Sequence, residues 1–161
     1  MNEDVPEPVN GLITADPNPV PSERGASTTL RWESNTPDVE VYVLEEGATE
    51  QLLARGPNHS VDIDWIHAGK SYLIRLYQAS PRQLLSEVEV TKPVAGRIEV
   101  ISEAVEGTTV SKITLQWETN AADAEVRVCE DNSDERLYAR GAKDSVDLDW
   151  IQAGVSYLFR L

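Results

Sequence analysis

The chain holds one cysteine, Cys129, among 161 residues, so no intrachain disulfide can form. It therefore belongs either to a reducing compartment or to domains large enough to fold without covalent staples. No run approaches the roughly 18–20 consecutive apolar residues that a bilayer-crossing helix needs. No stretch carries a 3.6-residue apolar stripe either. Cations are scarce: 14 Lys and Arg stand against 28 Asp and Glu, a net charge of −14. Such a surface repels phosphate backbones and anionic headgroups, which argues against nucleic acid and membrane insertion. The charge is spread, with −8 over residues 1–95 (7 basic, 15 acidic) and −6 over residues 96–161 (7 basic, 13 acidic). The opening MNEDVPEPVN is acidic and lacks the apolar core of a signal peptide, so residues 1–10 read as a disordered leader. The compartment stays open. An extracellular or cell-surface place fits a chain that is part of a larger protein.

What the chain does have is a repeat. Shifted by 85 residues and without a gap, positions 11–76 and 96–161 are identical at 31 of 66 places. Trp32 falls on Trp117, Gly56 on Gly141, Trp65 on Trp150 and Arg75 on Arg160. Solenoid units run about 20–50 residues, so a period of 85 is a whole small domain. The expected organisation is a leader over 1–10, one domain over 11–92, a short linker over 93–95 and a second domain over 96–161. The proline in that linker restricts swivel, and an elongated pair is expected.

Within each unit the periodicity is two. In TTLRWES, Leu30 and Trp32 face one way and Thr29, Arg31 and Glu33 the other. Val39, Val41 and Val43 alternate with Glu40, Tyr42 and Leu44, and Val61, Ile63 and Trp65 share a face opposite Asp62 and Asp64. SYLIRLYQ and LLSEVEVTK complete the set. Short alternating strands between turns rich in Pro, Gly and Asn predict an all-β fold, two tandem antiparallel β-sandwiches. Trp32, Trp65, Trp117 and Trp150 fall on the apolar side and are expected in the core.

The unit resembles the fibronectin type III and immunoglobulin-like superfamily. The likeness rests on Leu30 with Trp32, on Leu115 with Trp117, and on the turns Ile66 to Tyr72 and Ile151 to Tyr157. Those turns look like tyrosine corners, which implies that the hydroxyls of Tyr72 and Tyr157 bond back to nearby backbone. Pro17-Asn18-Pro19-Val20 followed by TTLRW, LLARG and DWI-AG-SY also resembles repeat modules of large multidomain bacterial proteins. The likeness implies a structural role beside other regions. The second unit has Ser102-Glu103-Ala104 in place of Pro-Asn-Pro, so its first strand is expected to run differently.

In the first unit 16 residues, Tyr77 to Lys92, follow Leu76, and they include a last strand. The second unit shows no counterpart before Leu161. Three readings of its open edge follow: a fragment, a strand supplied by another chain or another copy, or an edge that is tolerated or covered by the leader or linker. The leader is a poor strand donor, because prolines at 6 and 8 cannot donate ladder hydrogen bonds.

Catalytic constellations are not legible. His59 and His67 are replaced in the second unit by Asp144 and Gln152, and Cys129 has no neighbouring base in the sequence. Asp62 with Asp64, and Asp147 with Asp149, set two carboxylates on one strand face, roughly 6–7 Å apart. As a glycosidase pair they lack a cleft. As hard oxygen donors, together with the turn Glu130 to Glu135, they are weak candidates for calcium. Tyr42, Tyr77 and Tyr138 are the candidate exposed aromatics for a glycan, and Asn58-His59-Ser60 matches a glycosylation sequon. The expected function is a non-catalytic structural or protein-interaction module without a cofactor. The alternatives are glycan or calcium binding, and strand exchange through the open edge.

Overall fold

The structure, a computed structural model, describes residues 7–104 and 111–161. It is all β, with no helix among the described residues, and it divides into two compact units between Pro93 and Val94. In the first unit, β1 (Gly11–Asp16), β2 (Thr28–Ser34) and β5 (His59–Ile63) form a sheet in the order β1-β2-β5. Its mate is built from β3 (Val39–Glu45), β4 (Gln51–Arg55), β6 (Ser71–Gln78) and β7 (Gln83–Thr91), in the order β4-β3-β6-β7. The second unit contains β8 (Gly96–Ala104), β9 (Ser111–Thr119), β10 (Glu125–Glu130), β11 (Arg136–Arg140), β12 (Lys143–Asp147) and β13 (Tyr157–Arg160). These form sheets β12-β9-β8 and β11-β10-β13, and every pairing in both units is antiparallel.

The period-two pattern becomes a core shared by the two sheets of each unit. Leu30, Val41, Ile74 and Leu76 are fully buried in the first, with Trp32, Val39 and Tyr72 at 3% exposure or less. Leu115, Trp117, Val126 and Leu148 form the buried cluster of the second. The indole of Trp32 donates from Nε1 to the carbonyl of Gly56 at 2.8 Å, and Trp117 repeats this to Gly141 at 3.0 Å. Each glycine also donates its own N–H, Gly56 to Val39 O and Gly141 to Ala124 O, at 3.0 Å. A tryptophan of one sheet is thereby latched to the strand next door in the other. Gly56 and Gly141 have φ of 105° and 123°, which residues with a Cβ rarely adopt.

The entering chain is held in the same way in both units. Asn35 accepts from Asn10 N–H through Oδ1 and donates its own N–H to Asn10 O, while Asn120 makes the same pair with Ala95. Pro8 O also accepts from Asn35 Nδ2 at 3.0 Å. The stretch from Pro8 to Asn10 is therefore fastened to β2, unlike the disordered leader expected there; the first six residues of that leader lie outside the described residues.

The units part after their first strands. In the first, β1 stops at Pro17, and the chain crosses to the edge of β7: Asn18 Nδ2 donates to Glu89 O and Val20 N–H to Thr91 O. Val20 is fully buried there. In the second, β8 continues for nine residues, pairing Gly96 with Thr119 through to Ala104 with Ser111. Loss of the prolines leaves the ladder donors in place. Thr28 shows a smaller difference: its buried hydroxyl has no hydrogen-bond partner among the described residues, and Ile113 stands at the matching place in the second unit.

Trp65 corrects the expectation of four core tryptophans. β5 ends at Ile63, two residues earlier, so the strand alternation no longer sets its direction, and it is 39% exposed. Trp150 likewise lies beyond the end of β12 and is half-buried. Trp32→Ala is expected to cost about 3–5 kcal/mol of unfolding free energy in chemical denaturation. A loss under about 1 kcal/mol would contradict the inward, latched placement.

Candidate functional site

Three regions gather the side chains that could engage something else. The first is a cleft of about 370 Å³ in the first unit, under the β3–β4 hairpin and beside the turn that follows β5. Val43, Leu53, Trp65 and Tyr72 line it, with Glu45 and His67 at the rim. Trp65 stands edge-on to Tyr72, with ring centres 5.5 Å apart. Tyr72 is fixed by its corner, its hydroxyl accepting from the N–H of His67 at 3.4 Å; Tyr157 does the same with Gln152. Lys70 pairs with Glu45 beside this rim. In the second unit Tyr138 replaces Leu53 and packs against Trp150 and Phe159, at 5.8 and 5.9 Å. The guanidinium of Arg136, in place of Gln51, lies 5.6 Å from the Trp150 ring. The same backbone thus carries a cleft beside Trp65 in one unit and a packed aromatic cluster around Trp150 in the other.

The second region is the outer face of β3, β6 and β7. Glu50, just before β4, accepts from Arg75 Nη1, Tyr77 Oη and Arg82 Nη2 at 2.8, 2.9 and 2.8 Å. Arg75 also donates to Glu87 at 3.2 Å. Arg82 lies over Tyr77 and Tyr42, at 4.3 and 4.8 Å from their centres. The tyrosines that sequence reasoning offered as a sugar platform are covered by a guanidinium, and Tyr138 is packed inward. The hydrogen bond from Arg75 holds the Glu50 carboxyl below the usual glutamate range, with Tyr77 and Arg82 adding to it. Tyr42 is pushed up, chiefly by its hydrogen bond to Glu40. Glu135 and Arg160 repeat the Glu50–Arg75 pair in the second unit.

The aspartates do not converge. Asp62 accepts from Thr29 Oγ1 at 2.6 Å, and Asp147 from Thr114 Oγ1 at 2.9 Å, each on its own sheet face. The bond from Thr114, then Lys112 at 3.1 Å, holds Asp147 below the usual aspartate range. Asp64 and Asp149 are exposed. No group of three or more His, Cys, Asp or Glu side chains is placed to hold a metal among the described residues. The acidic turn after β10 has a structural use: Asp131 and Asn132 have φ of 44° and 61°, as the bend requires, and Asp131 Oδ1 accepts from Ser156 N–H. His59 packs edge-on to Trp32 at 5.7 Å, and Cys129 Sγ donates to Ser133 O.

The third region is the flank of β13. In the first unit β6 lies between β3 and β7, whereas β13 pairs with β10 and, among the described residues, has no strand on its other side. Leu161, fully buried at its matching place Leu76, is 41% exposed, and Leu158 is 48% exposed. Val100, paired with buried Leu115 on β9, is 56% exposed. Sequence reasoning expected an edge here from the count of strands. It missed the Trp65 cleft, because whether that space is open depends on residues 51 and 53 in the facing hairpin. No protein-family model matches the chain, and no curated protein matches it.

Glu50→Gln tests the clamp. A carboxylate held low in the folded state adds stability above its unfolded pKa and loses it as pH falls through its folded pKa. Denaturation is expected to find the wild type more stable than Glu50→Gln near neutral pH. That difference should vanish on acidification through and below the glutamate range; a difference unchanged by acid would contradict the clamp.

Proposed function

We propose that the chain is a non-catalytic structural or protein-interaction module, a pair of immunoglobulin- or fibronectin type III-like sandwiches that space or present other parts of a larger bacterial protein. One observation carries the reading: what the two units keep in common is their scaffold. Trp32 with Gly56, Asn35, the Glu50–Arg75 pair and Tyr72 all recur, each holding strands or sheets together. Their surfaces diverge at the cleft and at the clamp, while the aspartates Asp62 and Asp64 recur as Asp147 and Asp149. Leu53, in the cleft at Trp65, becomes Tyr138, packed against Trp150, and Tyr42, under Arg82, becomes Arg127. A duplicated binding site keeps the residues that contact its ligand, whereas a duplicated spacer keeps the residues that build its core. The division into facing antiparallel sheets, with a tyrosine hydroxyl turned back to the backbone in each unit, supports the resemblance.

The acidic pairs provide the experiment. Thermal unfolding of the wild type and of Asp62→Ala with Asp64→Ala is expected to be the same with and without millimolar calcium. A calcium-dependent rise in the wild type that the double variant loses would establish a binding site, since a ligand of the folded state raises its stability by mass action. That result would overturn the spacer reading.

A further inference from the structure

Two partly exposed aromatic groups of the chain carry a guanidinium cap, and a third does not. Arg82 lies over Tyr77 and Tyr42, 4.3 and 4.8 Å from their centres, and Arg136 lies 5.6 Å from the centre of Trp150. A cation within about 6 Å of a ring centre is drawn to the negative face of the π system. Among the described residues no arginine lies over Trp65, which is 39% exposed where Trp150 is half-buried. The repeat explains the difference. Arg136 opens β11 at the place where Gln51 opens β4. Gln51 is exposed and neutral, and it lines the cleft beside Trp65. The backbone that brings a cation to one indole therefore brings an amide to the other.

The cleft has the layout that a long cationic side chain needs. Val43, Leu53 and Tyr72 give it an apolar wall, and Glu45, Thr49, Gln51 and His67 set polar groups at the rim. A methylene stem packs on the first set while its charged head stays with the second. The volume, about 370 Å³, lies at the low end of ligand clefts and suits one side chain better than an extended ligand. Charge points the same way, since residues 1–95 carry −8 (7 basic, 15 acidic). Glu45 pairs with Lys70 through Oε1, and a carboxylate of this chain can serve two cations, as Glu50 serves Arg75 and Arg82. Of the two cationic side chains, the planar guanidinium stacks on an aromatic face and presents a fork of donors to a carboxylate or amide oxygen, whereas an ammonium is a strongly hydrated point charge.

We propose that the cleft beside Trp65 binds an arginine side chain presented by a partner protein, its stem against Val43 and Leu53 and its guanidinium over the indole, within reach of Glu45 and Gln51. In the second unit Arg136 already takes that place over Trp150. The proposal goes beyond the spacer reading, which calcium tests through other residues, so either can fail alone.

The probe is the blocked tripeptide acetyl-Gly-Arg-Gly-amide, titrated at low salt into the full nitrogen-labelled chain while the backbone and tryptophan indole N–H signals are followed by NMR. A saturable shift at Trp65 is expected, with Trp32 and Trp117 unmoved. The same peptide with citrulline, which keeps the shape and loses the charge, should bind about two- to five-fold more weakly, the scale of an exposed cation–π contact. Gln51→Arg sets a cation of the chain itself beside Trp65 and should weaken binding of the arginine peptide by at least that factor. Indole signals of Trp32 and Trp117 at their wild-type positions show that this variant is folded. No saturation at Trp65 by about 20 mM peptide, equal binding of the citrulline peptide, or wild-type binding by Gln51→Arg would overturn the proposal. So would shifts scattered over the acidic surface, because net charge alone would then hold the peptide.

Discussion

The hydrogen bond from a buried indole to a glycine carbonyl organises each unit. A sandwich needs its sheets aligned, and hydrophobic burial, being non-directional, does not supply alignment. Trp32 provides both functions in one side chain, a large apolar body in the core and a donor that must find a partner once buried. Its acceptor, Gly56, is held in place by its own N–H bond to Val39 and by a backbone conformation suited to glycine. Trp117 and Gly141 reproduce the arrangement. Around this latch the tyrosine corner fixes the chain into β6 and β13, and the asparagine pair fixes it into β1 and β8.

With the scaffold held this way, the remaining surface is free to change, and the two units show how. Leucine at 53 leaves a cleft beside Trp65, whereas tyrosine at 138 closes the same space with a packed ring. Glycine at 47 and the pair Asp131–Asn132 turn equivalent hairpins by different means, both with positive φ. Pro17 and Pro19 send the first unit across to β7, while β8 runs on along β9.

Strand faces were legible because alternation and burial share a period of two: Leu30, Trp32, Val39 and Val41 are all buried. The tyrosine corners were legible because a turn with a fixed order of residues was written twice. Trp65 was misread because alternation holds only inside a strand, and nothing local marks the end of β5 at Ile63. The tyrosine pair under Arg82 was half legible. Alternation put Tyr42 outward, but the guanidinium that covers it comes from the far end of the four-stranded sheet, at the turn before β7. Contacts of that kind depend on sheet order, which one sequence does not display.

The most direct test of the latch is hydrogen exchange at the four tryptophan indoles, observed by nitrogen-resolved NMR under native conditions. Trp32 and Trp117 are predicted to be the slowest, opening only with the unfolding of their own units, while Trp65 exchanges rapidly. Exchange at Trp32 or Trp117 as fast as at Trp65 would contradict the account, because the bond from indole to glycine would then not be what holds the sheets together.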